Sequence, residues 1–310
     1  MNSGIKVFAP ASISNLGCGF DTLGMALSGP GDEIIAKFCD KPGLHISKIT
    51  GAKGRLPLDS NLNTAGKSAL ALLEYLGESK RGIDFEIHKK MPFGSGLGSS
   101  AASAVAGVMA VNELLRKPLE KKDLLPFALE GERLASGSLH ADNVAPSLLG
   151  GVIFVRSHDP VDTHRLPCPP GLYISAVYPH VEILTKDARS VLRPDVPLSS
   201  MVKQAANLGA FVIGFYRMDL DLISRSMVDW VIEPQRAHLI PHFYEVQKAA
   251  LEAGALGCTI SGAGPTIFAL CANSFIAENV AEQMQRIYRD YKVEHDLFLS
   301  PVNQDGAIKC

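Results

Sequence analysis

Glycine and serine dominate the stretch from Met91 to Ala104, whose sequence is MPFGSGLGSSAASA. Glycine lets a backbone adopt positive φ and come close to a ligand. The first N–H groups of a helix have no partner within the helix and lie at its positive end, so together they attract anions. The stretch therefore predicts a loop that binds phosphate and then enters a helix. The alternative is an N-cap that joins two buried elements.

Two better-known phosphate loops do not match this stretch. The GxxxxGKS/T pattern is absent and no lysine follows Gly98, which excludes the P-loop of ATPases. The spacing of Gly94, Gly96 and Ser99 approaches the dinucleotide fingerprint, but serine stands in place of the third glycine. Glu120 follows at roughly the spacing of a ribose-binding acid, but it lies in a polar turn. These departures disfavour a nicotinamide enzyme.

Composition limits the class of protein. The chain of 310 residues exceeds one typical core, which predicts two domains. An apolar share of 46% with a charged share of 20% is typical of a soluble globular protein. A net charge of −2 without a long basic run gives no support for a nucleic-acid partner or for binding to an anionic membrane surface.

The predicted compartment is the cytoplasm. The first ten residues lack the apolar core of a signal peptide, and six cysteines without a CxxC pair indicate reduced thiols. The uncharged stretch from Met91 to Asn112 is long enough to be considered as a membrane span. Because it begins with Pro, Gly and Ser and its apolar part is short, we predict a buried helix and no membrane partner.

Strands and helices must position the glycine loop. Residues 82–89 alternate apolar and polar side chains, which predicts a half-buried strand leading into the loop. The helix after the loop is predicted to extend to about Leu115, and a second helix covers residues 124–136. Residues 27–38 are predicted to form a hairpin around Gly29-Pro30-Gly31.

The proline-rich segment 167–171 is the least regular part of the chain, and it is the predicted domain boundary. It divides the chain into residues 1–167 and residues 168–310. Each part contains a further loop of small residues, at 10–21 and at 261–266. Asn, Gly and Asp clusters are usually turns, but the number of such residues in 10–21, so close to the start of the chain, favours a surface that binds a ligand.

In order and content, the loops at 10–21, 92–104 and 261–266 resemble the three motifs of the GHMP family of small-molecule kinases. That family phosphorylates galactose, homoserine, mevalonate and phosphomevalonate. Three segments point to its homoserine branch: 14–21, 138–143 and 233–236. The resemblance extends over residues 5–300. It implies ATP-dependent phosphorylation of the side-chain hydroxyl of L-homoserine, a step of threonine biosynthesis.

The resemblance also implies a fold of the α+β class. The N-terminal domain is expected to bind ATP and to be of the ribosomal S5 domain 2-like type, with an unusual left-handed βαβ crossover. The C-terminal domain is expected to be ferredoxin-like and to complete the substrate site. The handedness comes from the resemblance alone, since the general rule for such crossovers is right-handed. The sequence leaves open whether the protein forms a homodimer.

Residue by residue, the resemblance implies where ATP and Mg²⁺ bind. Asn61 is expected to contact the adenine, and Ser100 and Glu132 resemble the pair that holds Mg²⁺, a hard cation bound by oxygen atoms. Their structural alternatives are a second cap residue and an exposed helix acid. The residues expected to bind ATP around the loop are Pro92, Phe93, Gly94, Ser95, Gly96, Leu97, Gly98, Ser99, Ser100, Ala101 and Ala102.

Five residues resemble the homoserine pocket: Asn15, Asp21, His140, Arg189 and Arg236. Homoserine carries an ammonium and a carboxylate group, so its site needs an anion and a cation. Asp21 fits the first role, and the arginines fit the second because arginine binds carboxylates in a bidentate manner. The alternatives are a core histidine and solvated surface arginines.

The candidate catalytic residues are Asn143, Asp142 and Arg189. Phosphoryl transfer needs mainly positioning and neutralisation of charge. Where the mevalonate branch is thought to place an aspartate, this chain has Asn143, whose amide can orient a hydroxyl but cannot take its proton. The proton is therefore expected to pass to the phosphate or to water. Other branches carry a lysine near Ser12, and its absence counts against mevalonate and galactose.

Two other functions stay open. One is another GHMP-type kinase that acts on a related alcohol, because pocket residues carry over less safely than the phosphate loop. The other is a non-catalytic protein that binds a nucleotide or metabolite on the same scaffold. That second function predicts loss of the metal pair or of the loop, whereas Ser100, Glu132 and the loop are all present.

Overall fold

A mixed sheet forms the larger part of the structure, a computed structural model that describes residues 4–136 and 140–310. The strand order is β11-β1-β2-β4-β3, with β5 paired to β2 and β6 paired to β5. The strands of this first sheet are β1 (Ile5–Ser14), β2 (Leu23–Phe38), β3 (Leu44–Thr50), β4 (Ile83–His88), β5 (Val152–His158), β6 (Val161–Leu166) and β11 (Ile308–Lys309). The predicted strand at 82–89 is confirmed as β4.

Strand β2 is continuous, and the predicted hairpin at 27–38 is wrong. Strand β1 pairs antiparallel with β2 in two registers, which join Phe8 to Glu33 and Ser12 to Ala26. Residues 27–30 lie between these registers, so the glycine–proline sequence forms an irregularity within a strand instead of a turn. The same strand also pairs with β4 and β5, which holds it in one sheet on both sides of the irregularity.

Four helices accompany the first sheet: α1 (Thr64–Tyr75), α2 (Ser99–Leu114), α3 (Leu125–Ser136) and α4 (Ala141–Leu149). Helices α2 and α4 contact β1 and β2, and α1 and α3 pack against α2. Helix α2 is buried on nearly all sides, as expected of a helix whose residues are small or apolar all round. None of the helices described here has the length and apolar character needed to cross a bilayer.

Strands β3 and β4 are parallel neighbours, and α1 connects them. This connection is the βαβ crossover that the resemblance implies, and its left-handedness stays a prediction. The crossover places the start of α1 and the end of β4 near the glycine loop. Helix α1 packs against α2, and the loop follows β4 directly in the chain.

A second sheet has the strand order β10-β7-β9-β8. Its strands are β7 (Tyr173–Pro179), β8 (Gly257–Ile260), β9 (Ile267–Cys271) and β10 (His295–Pro301). The helices of this half are α5 (Thr185–Ser190), α6 (Leu198–Arg217), α7 (Leu220–Ser226), α8 (Glu233–Arg236), α9 (Phe243–Glu252) and α10 (Ser274–Asp290). The antiparallel pairing and strand order are those of the expected ferredoxin-like βαββαβ arrangement.

The end of the chain returns to the first sheet, where β11 pairs with β1. Residues 308 and 309 therefore belong structurally with the N-terminal half. The boundary at 167 stays a prediction.

Candidate active site

A cavity of about 400 Å³ lies where the first sheet's loops and helices meet the second half. Most of the predicted site residues line it. They are Asn15, Asp21, Phe93, Gly94, Ser95, Gly96, Gly98, Ser99, Ser100, Glu132, His140, Asp142, Asn143, Arg189 and Arg236. Pro92, Leu97, Ala101 and Ala102 are not part of the lining, and the last three are fully buried, where they anchor the loop to the core.

The glycine loop adopts the backbone that its sequence predicts. Gly94, Gly96 and Gly98 all have positive φ, at 61°, 80° and 66°. A Cβ at Gly96 would lie 2.4 Å from the carbonyl oxygen of Ser261, and one at Gly98 would lie 2.2 Å from the Oγ of Ser12. Only glycine fits these two positions, because the conformation and the close neighbours both exclude a side chain.

The loop ends at the N-terminus of α2, which opens into the cavity. Gly98 makes no side-chain cap, so the first N–H groups of the helix are left to a ligand or to solvent. The Oγ of Ser99 is buried without a hydrogen-bond partner in the described part of the chain. A helix N-terminus with an adjacent hydroxyl is suited to binding phosphate.

The loop at 261–266 forms hydrogen bonds to the backbone of the glycine loop at 94–98. The Ser261 hydroxyl donates to the Gly96 carbonyl at 2.6 Å, and the Thr266 N–H donates to the Ser95 carbonyl at 3.1 Å. The carbonyl of Gly262 in turn accepts from the Asn15 amide and from Arg236. Residues 261–266 thus connect the phosphate end of the cavity to its other end.

Ser100 and Glu132 lie together beside the start of α2. The Ser100 hydroxyl donates to Oε1 of Glu132 at 3.2 Å. Glu132 is only 4% exposed, so the alternative of an exposed helix acid is wrong. The described residues contain no cluster of three or more His, Cys, Asp or Glu that could hold a metal by itself. The donor set therefore fits a hard cation that takes its other ligands from phosphate and water.

Opposite charges meet at the other end of the cavity. Arg189 Nη2 donates to both carboxylate oxygens of Asp21, at 2.9 and 2.8 Å, and lies 3.0 Å from Nε2 of His140. The His140 Nδ1 faces Glu132 at 3.5 Å. Burial opposes the charged form of His140, but the Glu132 hydrogen bond and the Asp142 charge raise its pKa. His140 thereby connects the metal pair to the charged end.

Arg236 is almost fully buried and is fixed by backbone carbonyls. Its Nε donates to the carbonyl of Ala188 at 2.9 Å and its Nη1 to that of Gly262 at 3.1 Å. Burial, and then the charge of Arg189, lower its pKa to about 10, so it stays charged at neutral pH. The ring of Phe20 lies 5.4 Å from the Arg189 guanidinium and 5.1 Å from that of Arg236, which orders both groups.

Asn143 is fixed between two serines of strand β1. Its Oδ1 accepts from the Ser12 hydroxyl at 3.0 Å, and its Nδ2 donates to the Ser14 hydroxyl at 2.9 Å. Asp142 is buried beside it, and its Oδ1 has no hydrogen-bond partner among the described residues. Burial, and then the charge of Asp21, raise the pKa of Asp142 to about 6.

Sequence reasoning missed several lining residues. Asn63 lines the cavity and caps α1 by accepting from two backbone N–H groups, whereas Asn61 is exposed and bonds to Asp59. The capping position immediately before Thr64 is the signal that would have found Asn63. Phe20 and Ser14 carried no signal of their own. Ser138 and Leu139 of the predicted motif lie outside the described residues.

Two family models match the chain. The GHMP kinases N terminal domain matches residues 63–151, and the GHMP kinases C terminal matches residues 211–290. The chain belongs to the GHMP kinase family. A homoserine kinase from Chloroherpeton thalassium is 47% identical over 97% of both chains. Another from Xylella fastidiosa is 37% identical over 97% of this chain and 92% of its own.

Solved structures of GHMP kinases superpose over nearly the whole chain. The crystal structure of a homoserine kinase from Cytophaga hutchinsonii is 52% identical, with a TM-score of 0.97, and covers 100% of this chain and 98% of its own. A mevalonate kinase from L. major is 16% identical with a TM-score of 0.73, covering 97% and 99% of the two chains. The second likeness shows the fold alone. The two-domain GHMP kinase fold expected from the sequence is confirmed.

Proposed function

We propose that this chain transfers the γ-phosphoryl group of ATP to the side-chain hydroxyl of L-homoserine, giving O-phospho-L-homoserine for threonine biosynthesis. The observation that carries the proposal is a single cavity with a phosphate-binding helix N-terminus at one end and opposite charges at the other. The homoserine kinase relatives at 44–47% identity over nearly the full chain support the same substrate.

The phosphate end suits ATP. The N-terminus of α2 and the hydroxyl of Ser99 face the cavity, and the loop is held in shape by Ser261 and Thr266. Backbone N–H groups in a rigid loop neutralise phosphate charge without reorganisation during the reaction. We assign the triphosphate to Gly94–Ser100 and the adenosine to the side near Asn63.

Ser100 and Glu132 would hold Mg²⁺, since both are oxygen donors next to the phosphate loop. A bound ion would supply positive charge that neutralises the phosphate groups during transfer. The hydrogen bond between the two side chains holds the two oxygen donors next to each other in the cavity lining.

The charged end suits a zwitterionic amino acid. Asp21 binds the ammonium group, and Arg189 together with Arg236 binds the carboxylate. The buried carbonyl contacts of Arg236 fix its position, while Arg189 lies on the short helix α5 and is partly exposed. The substrate carboxylate is therefore bound by one rigid arginine, Arg236, and one adjustable arginine, Arg189.

The acceptor hydroxyl is oriented and not deprotonated by a strong base. Asn143 lies between the two ends of the cavity, and its amide is locked by Ser12 and Ser14. Asp142 contributes a buried carboxyl group near the partly exposed Asp21. The proton of the hydroxyl passes to the transferred phosphate or to water, as a loose transition state allows.

Helix α6 suggests how two copies of the chain associate. An exposed apolar stripe runs along it, with Leu198, Val202, Ile213 and Tyr216 on one side. Gly209 lies between them, and no atom lies within 4 Å of the position that a Cβ would occupy there, which lets a second helix approach closely. We propose a homodimer through this stripe, because an exposed apolar surface of this kind is typical of an interface. An Ile213→Lys variant that stays dimeric in sedimentation velocity would contradict the assignment.

The proposed compartment is the cytoplasm, where thiols stay reduced. All six cysteines are unpaired in the structure, including the buried Cys18, Cys258 and Cys271.

A coupled assay of ADP release tests the proposed reaction. The acceptors are L-homoserine, L-serine, L-threonine, mevalonate and galactose, each with Mg²⁺-ATP, and Ser100→Ala serves as the impaired control. We expect turnover on homoserine well above the others. If another alcohol is the preferred acceptor, the chain is still a kinase but the assignment of the homoserine pocket is wrong. Binding of ATP without turnover on any acceptor would favour a non-catalytic protein.

A further inference from the structure

His158, the last residue of β5, contacts the backbone of Asp21. Its Nε2 lies 2.9 Å from the Asp21 carbonyl oxygen. Because a carbonyl only accepts, Nε2 carries the hydrogen of this bond. Three residues earlier in the same strand, the N–H of Val155 donates to the carbonyl of Thr22 at 2.7 Å. Strand β5 therefore donates to two consecutive carbonyl groups, those of Asp21 and Thr22.

The peptide group on the other side of Asp21 is held as well. Its N–H donates to Oδ1 of Asn15 at 3.1 Å, and the Nδ2 of Asn15 donates to the Gly262 carbonyl at 2.9 Å. Asp21 itself has a φ of 57°, in the left-handed region that side chains rarely adopt. An unfavourable backbone conformation persists only where surrounding contacts hold it. Here Asn15 and His158 hold the peptide groups on the two sides of Asp21, and the Thr22 N–H donates to the Gly19 carbonyl at 2.9 Å.

This backbone conformation directs the Asp21 carboxylate. With both flanking peptide groups fixed, the side chain meets Arg189, whose Nη2 reaches both of its oxygens. Without the His158 hydrogen bond, the Asp21 carbonyl loses this donor and the Asp21–Thr22 peptide is anchored, among the described contacts, only through its N–H, which donates to the Gly19 carbonyl at 2.9 Å. The carboxylate is then held less firmly in its direction toward Arg189. The phosphate loop is supported by other residues, Ser261 and Thr266, and does not contact His158 through any described hydrogen bond.

We propose that His158 is a positioning residue that fixes Asp21 for binding the ammonium group of the acceptor. The proposal rests on the function proposed above. Its action runs through Nε2, since Nδ1 is buried without a hydrogen-bond partner in residues 4–136 and 140–310. The residue affects binding of the acceptor and leaves binding of ATP unchanged.

Three variants test the role by steady-state kinetics. His158→Leu removes the donor, and we expect the KM for homoserine to rise about tenfold, with kcat and the KM for ATP within about twofold of the parent. His158→Gln keeps an N–H donor at a similar reach and is expected to restore most of the affinity. His164→Leu is the matched control, because His164 is an exposed residue of the adjacent strand β6.

Three results would overturn the assignment. They are an unchanged KM for homoserine in His158→Leu, an equal rise in the KM for ATP, and a His158→Gln variant no better than His158→Leu. The first two would show that the contact does not control the acceptor site. The third would show that the loss comes from packing and not from the donated hydrogen bond.

A second measurement requires no turnover. The ¹⁵N resonances of the His158 ring in the free protein are expected to show hydrogen on Nε2, and His158→Leu is expected to shift the amide signals of residues 20–22. Hydrogen on Nδ1 alone, or unchanged amide signals, would refute the contact. If the parent protein does not phosphorylate homoserine but these signals appear as expected, the proposed substrate fails while the positioning of Asp21 by His158 stands.

Discussion

Arg189 donates from a single terminal nitrogen to both carboxylate oxygens of Asp21, at 2.9 and 2.8 Å. The two side chains come from opposite halves of the molecule, and each is about one third exposed. A partly exposed ion pair contributes little to stability, so a ligand can separate it at low cost. A zwitterion is such a ligand, because its ammonium replaces Arg189 at Asp21 and its carboxylate replaces Asp21 at Arg189.

Asp21→Asn tests this exchange of partners. The amide retains the shape of the side chain but loses the negative charge that attracts the ammonium group. We expect the KM for homoserine to rise about ten- to hundredfold, as for the loss of a hydrogen bond to a charged group, with the KM for ATP unchanged. Asp187→Asn, an exposed acid on the same helix as Arg189, is the control. A homoserine KM equal to that of the control would exclude Asp21 from substrate binding.

Glu132→Gln tests the cation site. The substitution removes the charged oxygen donor beside Ser100, so more Mg²⁺ is needed to reach half-maximal velocity, and kcat is expected to fall about a hundredfold. Glu130→Gln on the same helix is the matched control, because that side chain is partly exposed and its one ion pair in the described structure is with Arg133. Titrating activity against Mg²⁺ gives both parameters. If Glu132→Gln and Glu130→Gln have the same kcat and reach half-maximal velocity at the same Mg²⁺ concentration, the assignment is contradicted.

Asp142→Asn tests the buried acid. Its pKa rises from 3.8 to about 6 in the folded protein, so between these values the folded state holds a proton that the unfolded state has lost. Stability from this group therefore falls as pH rises through that window. Relative to the parent, the free energy of unfolding of the variant should increase by at most about 3 kcal/mol from about pH 4 to about pH 7.

Urea unfolding at the two pH values measures this difference for Asp142→Asn and for Asp40→Asn, an exposed acid. If the difference between parent and Asp142→Asn does not change with pH any more than that of the Asp40→Asn control, the raised pKa of Asp142 is contradicted.

A buried ion pair lies beneath the phosphate loop and gives a prediction of stability. Lys89 donates to Asp32, to the Ser103 hydroxyl at 2.7 Å and to the Ser99 carbonyl at 2.8 Å, and both charged side chains are at most 2% exposed. Lys89→Met leaves the Asp32 charge buried without its partner. The free energy of unfolding is expected to fall by about 3–5 kcal/mol.

Lys90→Met is the control for that substitution, because Lys90 pairs with Glu33 at the surface and a surface pair contributes about 0–1 kcal/mol. Adding Asp32→Asn to Lys89→Met should recover part of the loss, since no unpaired charge is then buried. Equal unfolding free energies for Lys89→Met and Lys90→Met would mean that the buried pair does not support the start of α2.

Local patterns predicted the parts of this site that are built from neighbouring residues. The glycine loop and helix α2 follow from the spacing of Gly94, Gly96 and Gly98 and from the apolar run after Ser100, which are local properties. Strand β4 follows from strict alternation. The hairpin prediction at 27–38 failed because a glycine–proline turn signal does not reveal that the strand on both sides pairs with the same neighbour.

Contacts between distant residues could not be read from the sequence. Asn143 forms hydrogen bonds with Ser12 and Ser14, which lie more than a hundred residues away in the chain. Nothing in the local sequence at 12–14 or at 141–144 indicates these contacts. His158 reaches Asp21 only because β5 pairs with β2, a pairing set by tertiary packing. Resemblance to the GHMP family supplied Asn15, Asp21, Arg189 and Arg236. It did not supply His158 and Phe20, which contact these residues from outside the motifs' charged positions.

The phosphorus spectrum of the reaction products tests the central claim most directly. The parent protein is incubated with Mg²⁺-ATP and L-homoserine, and the mixture is followed by ³¹P NMR. We predict a new phosphomonoester resonance that couples to the γ-methylene protons of homoserine and grows in step with ADP. Release of ADP with inorganic phosphate as the only other new phosphorus-containing product would contradict transfer to homoserine.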